Sequence, residues 1–154
     1  MAYLKTPKPE GCILCLIAEK SKAVQNLSVW ENNQFIVTVN LYPYNPGHLL
    51  IAPKRHITDI RALTLNEEKQ LHALQRRFLT LLDRIYSPSA YNMGFNMGLA
   101  AGASIQHLHL HIIQRYPRET GIADLIAGKR VLVESPVDTM TKIKESLSQN
   151  PFNL

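Results

Sequence analysis

Residues 106–114 read Q-H-L-H-L-H-I-I-Q, three histidines alternating with apolar residues. In an extended strand successive side chains point to opposite faces. His107, His109 and His111 therefore share one face, and Leu108, Leu110 and Ile112 the other, where they offer a core something to bury. A helix would scatter the imidazoles over about 200° of arc. Same-face neighbours stand about 6.5–7 Å apart, so three charged rings would repel and at least one must be neutral at pH 7. A neutral imidazole serves as nucleophile, base or metal ligand. One buried histidine is ordinarily a satisfied core residue. Three in alternation pack poorly and need many polar partners, which favours function, and the interleaved leucines exclude an affinity tag.

The flanking pattern predicts the architecture around that strand. A short helix is predicted over 12–20, where Ile13, Leu16 and Ile17 share a face. Strands over 27–31 and 34–40 meet at Asn32-Asn33 as an antiparallel hairpin, and a third covers 48–52 up to Pro53. A long helix over 65–85 opens with the capping-box pair Thr64 and Glu67 and carries the stripe Leu71, Leu74, Phe78, Leu81, Leu82, Ile85. Strands at 91–96 and 105–115 and a C-terminal helix at 137–148 complete an α+β fold, a mostly antiparallel five-stranded sheet with one long helix and a C-terminal helix. One domain is expected over residues 1–154: an extended arm at 1–11, a core at 12–116 and a C-terminal segment at 117–154.

Composition excludes several classes. With 45% hydrophobic and 19% charged residues the chain is no disordered, solvating segment. The longest apolar run near the start, Cys12 to Ala18, is far short of a membrane span, and M-A-Y-L-K-T-P-K-P-E-G lacks a signal-peptide core. Two cysteines make no disulfide scaffold. A cytoplasmic protein with no membrane partner is expected. The net charge of +5 favours anionic ligands. Nucleic acid is disfavoured, because neither a helix-turn-helix nor an aromatic-basic single-strand motif is present.

Three further patterns carry chemistry. The stretch G-L-A-A-G-A-S ahead of the histidines suggests an anion-binding nest, with Gly102 allowing close approach, amide donors around Ala103 and the Ser104 hydroxyl. Pro46-Gly47-His48 ends a loop and begins a strand; Gly47 has a plain steric reading, and His48 is a candidate site residue. Cys12-Ile13-Leu14-Cys15 is a C-x-x-C pair open to zinc, redox or two buried thiols; redox is disfavoured because no βαβ unit surrounds it, and zinc needs two more ligands. His72, within the long helix, is read as structural or exposed, and Lys54-Arg55 as a solvated face.

H-L-H-L-H-I-I, with N-P-G-H-L-L-I-A-P-K-R-H at 45–56, resembles the signature blocks of the histidine triad (HIT) family over about residues 12–116. N-L-Y-P-Y-N-P-G-H and A-G-A-S-I-Q-H-L-H are most similar to the branch acting on dinucleoside polyphosphates, including diadenosine tetraphosphate phosphorylases. After Arg115 that branch carries a Trp and an Asn-Phe pair, whereas this chain has Tyr116-Pro117-Arg118-Glu119-Thr120-Gly121-Ile122. The resemblance implies a HIT-like fold and a homodimer. It implies that His109 attacks the α-phosphorus of a nucleotide or dinucleotide substrate to form a covalent nucleotidyl-histidine, while a backbone carbonyl fixes its tautomer. His111 and His48 would bond phosphate oxygens or support the nucleophile. Ser104 and amides near Ala103 and Gly102 would stabilise developing charge, and Asn40 and Asn96 would contact ribose or phosphate. It further implies structural zinc on Cys12, Cys15, His56 and His107, with no organic cofactor. The expected activity is a nucleotidyl hydrolase or transferase. The alternatives are a purine-nucleoside phosphoramidate hydrolase of the same family and a nucleotide-binding sensor without fast turnover.

Overall fold

The computed structural model describes residues 9–117 and 134–151. Most of the expected arm at 1–11, and residues 118–133 after the histidine strand, lie outside the described residues. A one-turn helix α1 (Ile13–Ala18) leads into β1 (Ser28–Glu31), β2 (Phe35–Val39), β3 (Leu49–Pro53), the long helix α2 (Leu65–Tyr86), β4 (Ala90–Phe95), β5 (Leu110–Arg115) and the C-terminal helix α3 (Pro136–Gln149). The five strands form one sheet in the order β1-β2-β3-β5-β4, every neighbouring pair antiparallel. The expected fold class is the observed one.

Local chemistry sets the ends of α2. The Thr64 hydroxyl accepts from the Glu67 amide at 3.2 Å, and the Glu67 carboxylate accepts from the Thr64 amide at 2.8 Å, so both halves of the capping box form. Glu67 is nevertheless buried, and the Arg55 guanidinium meets it at 2.8 and 3.2 Å. Arg55 beside it holds Glu67 below the usual carboxylate range. Arg55 is exposed, as the reading of Lys54-Arg55 as a solvated face expects, and it also answers the buried Glu67, since a buried carboxylate needs a charged partner. Lys54 pairs with Glu31 at 2.8 Å.

Leu71, Leu74, Phe78, Leu81 and Leu82 of α2 and Ile143 of α3 pack on Phe35, Val37, Val39, Leu49, Ile51, Leu110 and Ile112, which form one sheet face. Each such side chain contributes about 1.5–3 kcal/mol by leaving water. On the opposite face Leu14 and Ile17 of α1 sit on Ile36 and Ala52. His111 pairs with Leu50, two residues from Ala52, so the histidines lie on this second face beside α1. Among the described residues no helix is long and apolar enough to cross a membrane.

Candidate active site

The ladder of β5 begins at Leu110, five residues later than the expected 105. Just before it the Leu108 amide donates to Ile57 O at 2.6 Å, and the Asn40 amide closes the start of β3 on His48 O at 3.0 Å. The alternation survives this correction. Leu108, Leu110 and Ile112 enter the core beneath α2, while His107 and His109 are buried on the opposite side at 2% and 3% exposure.

Hydrogen bonds fix the proton on each ring. His109 Nδ1 lies 2.6 Å from His107 O; a carbonyl only accepts, so Nδ1 carries the proton and Nε2 the lone pair. The Tyr44 amide donates to His48 Nδ1 at 3.1 Å, which places the His48 proton on Nε2. That Nε2–H donates to His111 Nδ1 at 3.0 Å, so His111 in turn is protonated at Nε2. His111 Nε2 is buried and has no hydrogen-bond partner among the described residues. The His109 and His111 rings meet edge to face at 4.7 Å. Burial lowers the pKa of His107 and of His109, and burial together with the neighbouring His109 lowers His111 to about 4. All three rings are neutral at pH 7. The arrangement sets one free imidazole lone pair beside one unsatisfied N–H donor.

The loop ahead of β3 supports His48 from behind. Gly47 has φ +85°, and a Cβ there would run into the Gln114 carboxamide, which donates to Gly47 O at 2.8 Å. Asn45 ties the loop to Gln114 O at 2.7 Å. Asn40 reaches His48 at 3.3 Å and accepts from the Tyr42 amide at 3.1 Å. Two residues escaped the sequence reading. Tyr44 stacks on His48 at 5.5 Å and stays 53% exposed; its signal was the pair of tyrosines flanking Pro43. Gly94 of β4 faces His111 in register and has open space where a side chain would stand; a glycine inside a strand was its signal.

The other expected binding residues are placed less directly. Gly102 adopts the left-handed conformation, φ +83°, closing a 3-10 turn over Leu99–Ala101. The Ala103 amide is given to Gly98 O at 3.3 Å, so that donor of the expected nest is engaged within the loop, while Ser104 is exposed. Asn96 is half-buried one residue past β4 and makes no hydrogen bond among the described residues. His72 is exposed on α2 beside Gln75.

Cys12, Cys15, His56 and His107 come together, with one ligand atom from each within 4.8 Å of the others. The C-x-x-C spacing puts both thiols on one side of the α1 turn, and docking of Leu14 and Ile17 carries that turn onto the sheet. Cys12 Sγ is 3.3 Å and Cys15 Sγ 3.5 Å from His107 Nδ1, and Cys15 Sγ is 3.4 Å from His56 Nδ1. A tetrahedral centre with S ligands at about 2.3 Å and N ligands at about 2.0–2.1 Å has S···N edges of about 3.5 Å. His107 Nε2 donates to Pro53 O at 2.7 Å, leaving Nδ1 unprotonated toward the thiols, as a metal-binding histidine requires. Burial, then Cys12 beside it, pushes the Cys15 thiol up to about 11, so a cation entering here displaces its proton. The four residues fit a metal ion.

Comparison with known proteins identifies the family. Residues 11–122 match the family described as the C-terminal binding domain of the scavenger mRNA decapping enzyme. An AP-4-A phosphorylase of Mycobacterium tuberculosis is 30% identical over 128 residues, 82% of this chain and 66% of that protein. An asymmetrical bis(5'-nucleosyl)-tetraphosphatase of Schizosaccharomyces pombe is 35% identical over 88 residues, 57% of this chain and 48% of that protein. The chain thus spans just under two thirds of the first relative and about half of the second. A zinc-bound histidine triad family protein from Mycobacterium smegmatis shares the fold, with TM-score 0.73 and 19% identity over 90% of this chain and 94% of that one. The chain belongs to the histidine triad family.

Proposed function

We propose that this chain is a nucleotidyl hydrolase or transferase acting on dinucleoside polyphosphates such as diadenosine tetraphosphate, with His109 as nucleophile. The observation that carries the reading is the Nδ1–H to His107 O bond, which leaves the His109 Nε2 lone pair available. His109 Nε2 attacks the α-phosphorus; the N–P bond forms and the bond from phosphorus to the bridging oxygen breaks, releasing a nucleoside polyphosphate. The ring gains positive charge in this step, and the His107 carbonyl on Nδ1–H stabilises it. His111 Nε2–H donates to a phosphate oxygen, filling its empty donor site, and His48 holds His111 in the tautomer that can donate. Water or inorganic phosphate then attacks the nucleotidyl-histidine and restores neutral His109. In this reading Asn40, Asn96, Gly102, Ala103 and Ser104 would contact the nucleotide, with the Ser104 hydroxyl as charge donor. The names of the two relatives, a phosphorylase and a tetraphosphatase, support this substrate class.

Zinc is the metal that suits two thiols and two imidazoles, on Cys12, Cys15, His56 and His107. When bound it ties α1 to the sheet and takes no part in phosphorus chemistry, since all four positions belong to the protein. Reduced thiols in such a site suit the cytoplasm. A homodimer is part of the reading: β4 is an edge strand, and Met93 on it and Met97 just beyond are 40% and 43% exposed. Sedimentation should give a dimer at micromolar concentration; a monomer would contradict that part. The central test is product analysis with diadenosine tetraphosphate, with and without inorganic phosphate. ADP plus ATP only with phosphate identifies a phosphorylase, AMP plus ATP a hydrolase, and no cleavage removes the substrate assignment.

A further inference from the structure

We infer that the cysteine–histidine cluster is a positioning device for His109, acting through the single peptide that joins His107 to Leu108. The inference rests on the metal and nucleophile readings given above. A peptide is planar, so its C=O and N–H turn together. The C=O of this one accepts the His109 Nδ1–H at 2.6 Å, and its N–H donates to Ile57 O at 2.6 Å. Each side of the peptide is chained to a cluster ligand. His107 contributes its own ring, with Nδ1 between the two thiols and Nε2 on Pro53 O. Ile57 directly follows His56, whose Nδ1 lies 3.4 Å from Cys15 Sγ. No sheet ladder holds residues 107–109, because β5 begins at Leu110.

The plane that selects the nucleophile's tautomer is therefore set by ring atoms gathered at the cluster and by α1, which delivers the thiols. His107 is a positioning residue: it holds His109 through its carbonyl and is itself held through its imidazole. With the four ligands on one ion, His56 and His107 cannot move apart, and the carbonyl stays aimed at His109 Nδ1. Without the ion, two part-buried thiols, an exposed His56 and the buried His107 keep only long S···N contacts with one another, the peptide is left to its bonds at Ile57 O and Pro53 O and is less firmly aimed, and His109 gains access to its other tautomer.

The test reads His109 directly. The full chain, labelled with ¹⁵N-histidine and loaded with zinc, is compared with the same protein after chelation, using long-range ¹H–¹⁵N spectra that distinguish Nδ1–H from Nε2–H. Circular dichroism establishes whether the metal-free protein keeps its fold. Loaded protein should show a single Nδ1–H form of His109. Folded metal-free protein should show His109 as a tautomer mixture, with formation of the nucleotidyl-enzyme slowed about 10–100-fold, the range for losing a supporting group behind a ligand. His109 signals that stay unchanged while those of His107 pass from bound to free would overturn the inference, as would failure of the protein to bind zinc. If the metal-free protein unfolds, cadmium, a larger ion, replaces zinc: His109 signals must then move with those of His107, and their constancy overturns the inference. A His109 tautomer that follows the metal in a protein forming no nucleotidyl-enzyme would uphold the coupling and reject the proposed activity.

Discussion

His107 and His109 are two residues apart and almost equally buried, at 2% and 3% exposure, yet their rings are committed in different ways. His107 spends both nitrogens, one on Pro53 O and one toward the thiols of Cys12 and Cys15. His109 spends one, on His107 O. The cysteine–histidine cluster is thus closed, every ligand atom facing another, whereas in the histidine row His109 Nδ1–H leaves the Nε2 lone pair uncommitted and His111 keeps a buried, open donor. The contrast teaches that burial alone does not mark a reactive group. What marks it is a valence left unused where an unused valence costs free energy, about 1–3 kcal/mol for a buried polar group without a partner.

Breaking the open region should have the largest effect. His109→Ala should lower turnover by roughly 10³-fold or more while nucleotide affinity stays within about tenfold, because the change removes a route and few ground-state contacts. Single-turnover kinetics and calorimetric titration measure the two quantities; near-normal turnover would remove His109 from the role of nucleophile. The closed region should respond in stability instead. Cys12→Ser should reduce bound zinc well below one per chain and lower Tm by about 10 °C or more, since a six-residue α1 is too short to stand without its tie to the sheet. Metal analysis and a thermal melt decide it, and a variant as stable as the parent would leave the cysteines as ordinary core residues.

Gly47→Ala sharpens the comparison by disturbing the open row from behind. The added methyl meets the Gln114 carboxamide at a left-handed backbone position, a strain of about 1–3 kcal/mol. Both Tm and turnover should fall with the zinc content unchanged, as denaturation, kinetics and metal analysis on one preparation would establish. The smallest effect concerns pH. His111 is held to about 4 by burial and its neighbour His109, against about 6.5 in an unfolded chain. Between those values the unfolded chain binds a proton that the folded one refuses, so stability falls as pH drops from 6.5 toward 4. In His111→Gln this part of the decline should vanish. Urea midpoints at pH 7, 5.5 and 4.5 test it, and parallel declines in parent and variant would contradict the assignment.

Signals that act over a few residues were legible from the chain alone. Alternation at 107–112 separates imidazoles from leucines, the capping box at Thr64 and Glu67 starts α2, and the C-x-x-C step puts two thiols on one turn. Their physical basis is the period of the backbone, which needs no distant partner. Tertiary structure alone decided which nitrogen of each histidine holds its proton, that β5 starts at Leu110, that Arg55 answers a buried Glu67, and that Gly94 leaves space opposite His111. Each of these depends on a partner far away in sequence: Cys12 meets His107 across 95 residues, and His48 meets His111 across 63. A proton settles where the nearest acceptor stands, and only the closed sheet determines which acceptor that is.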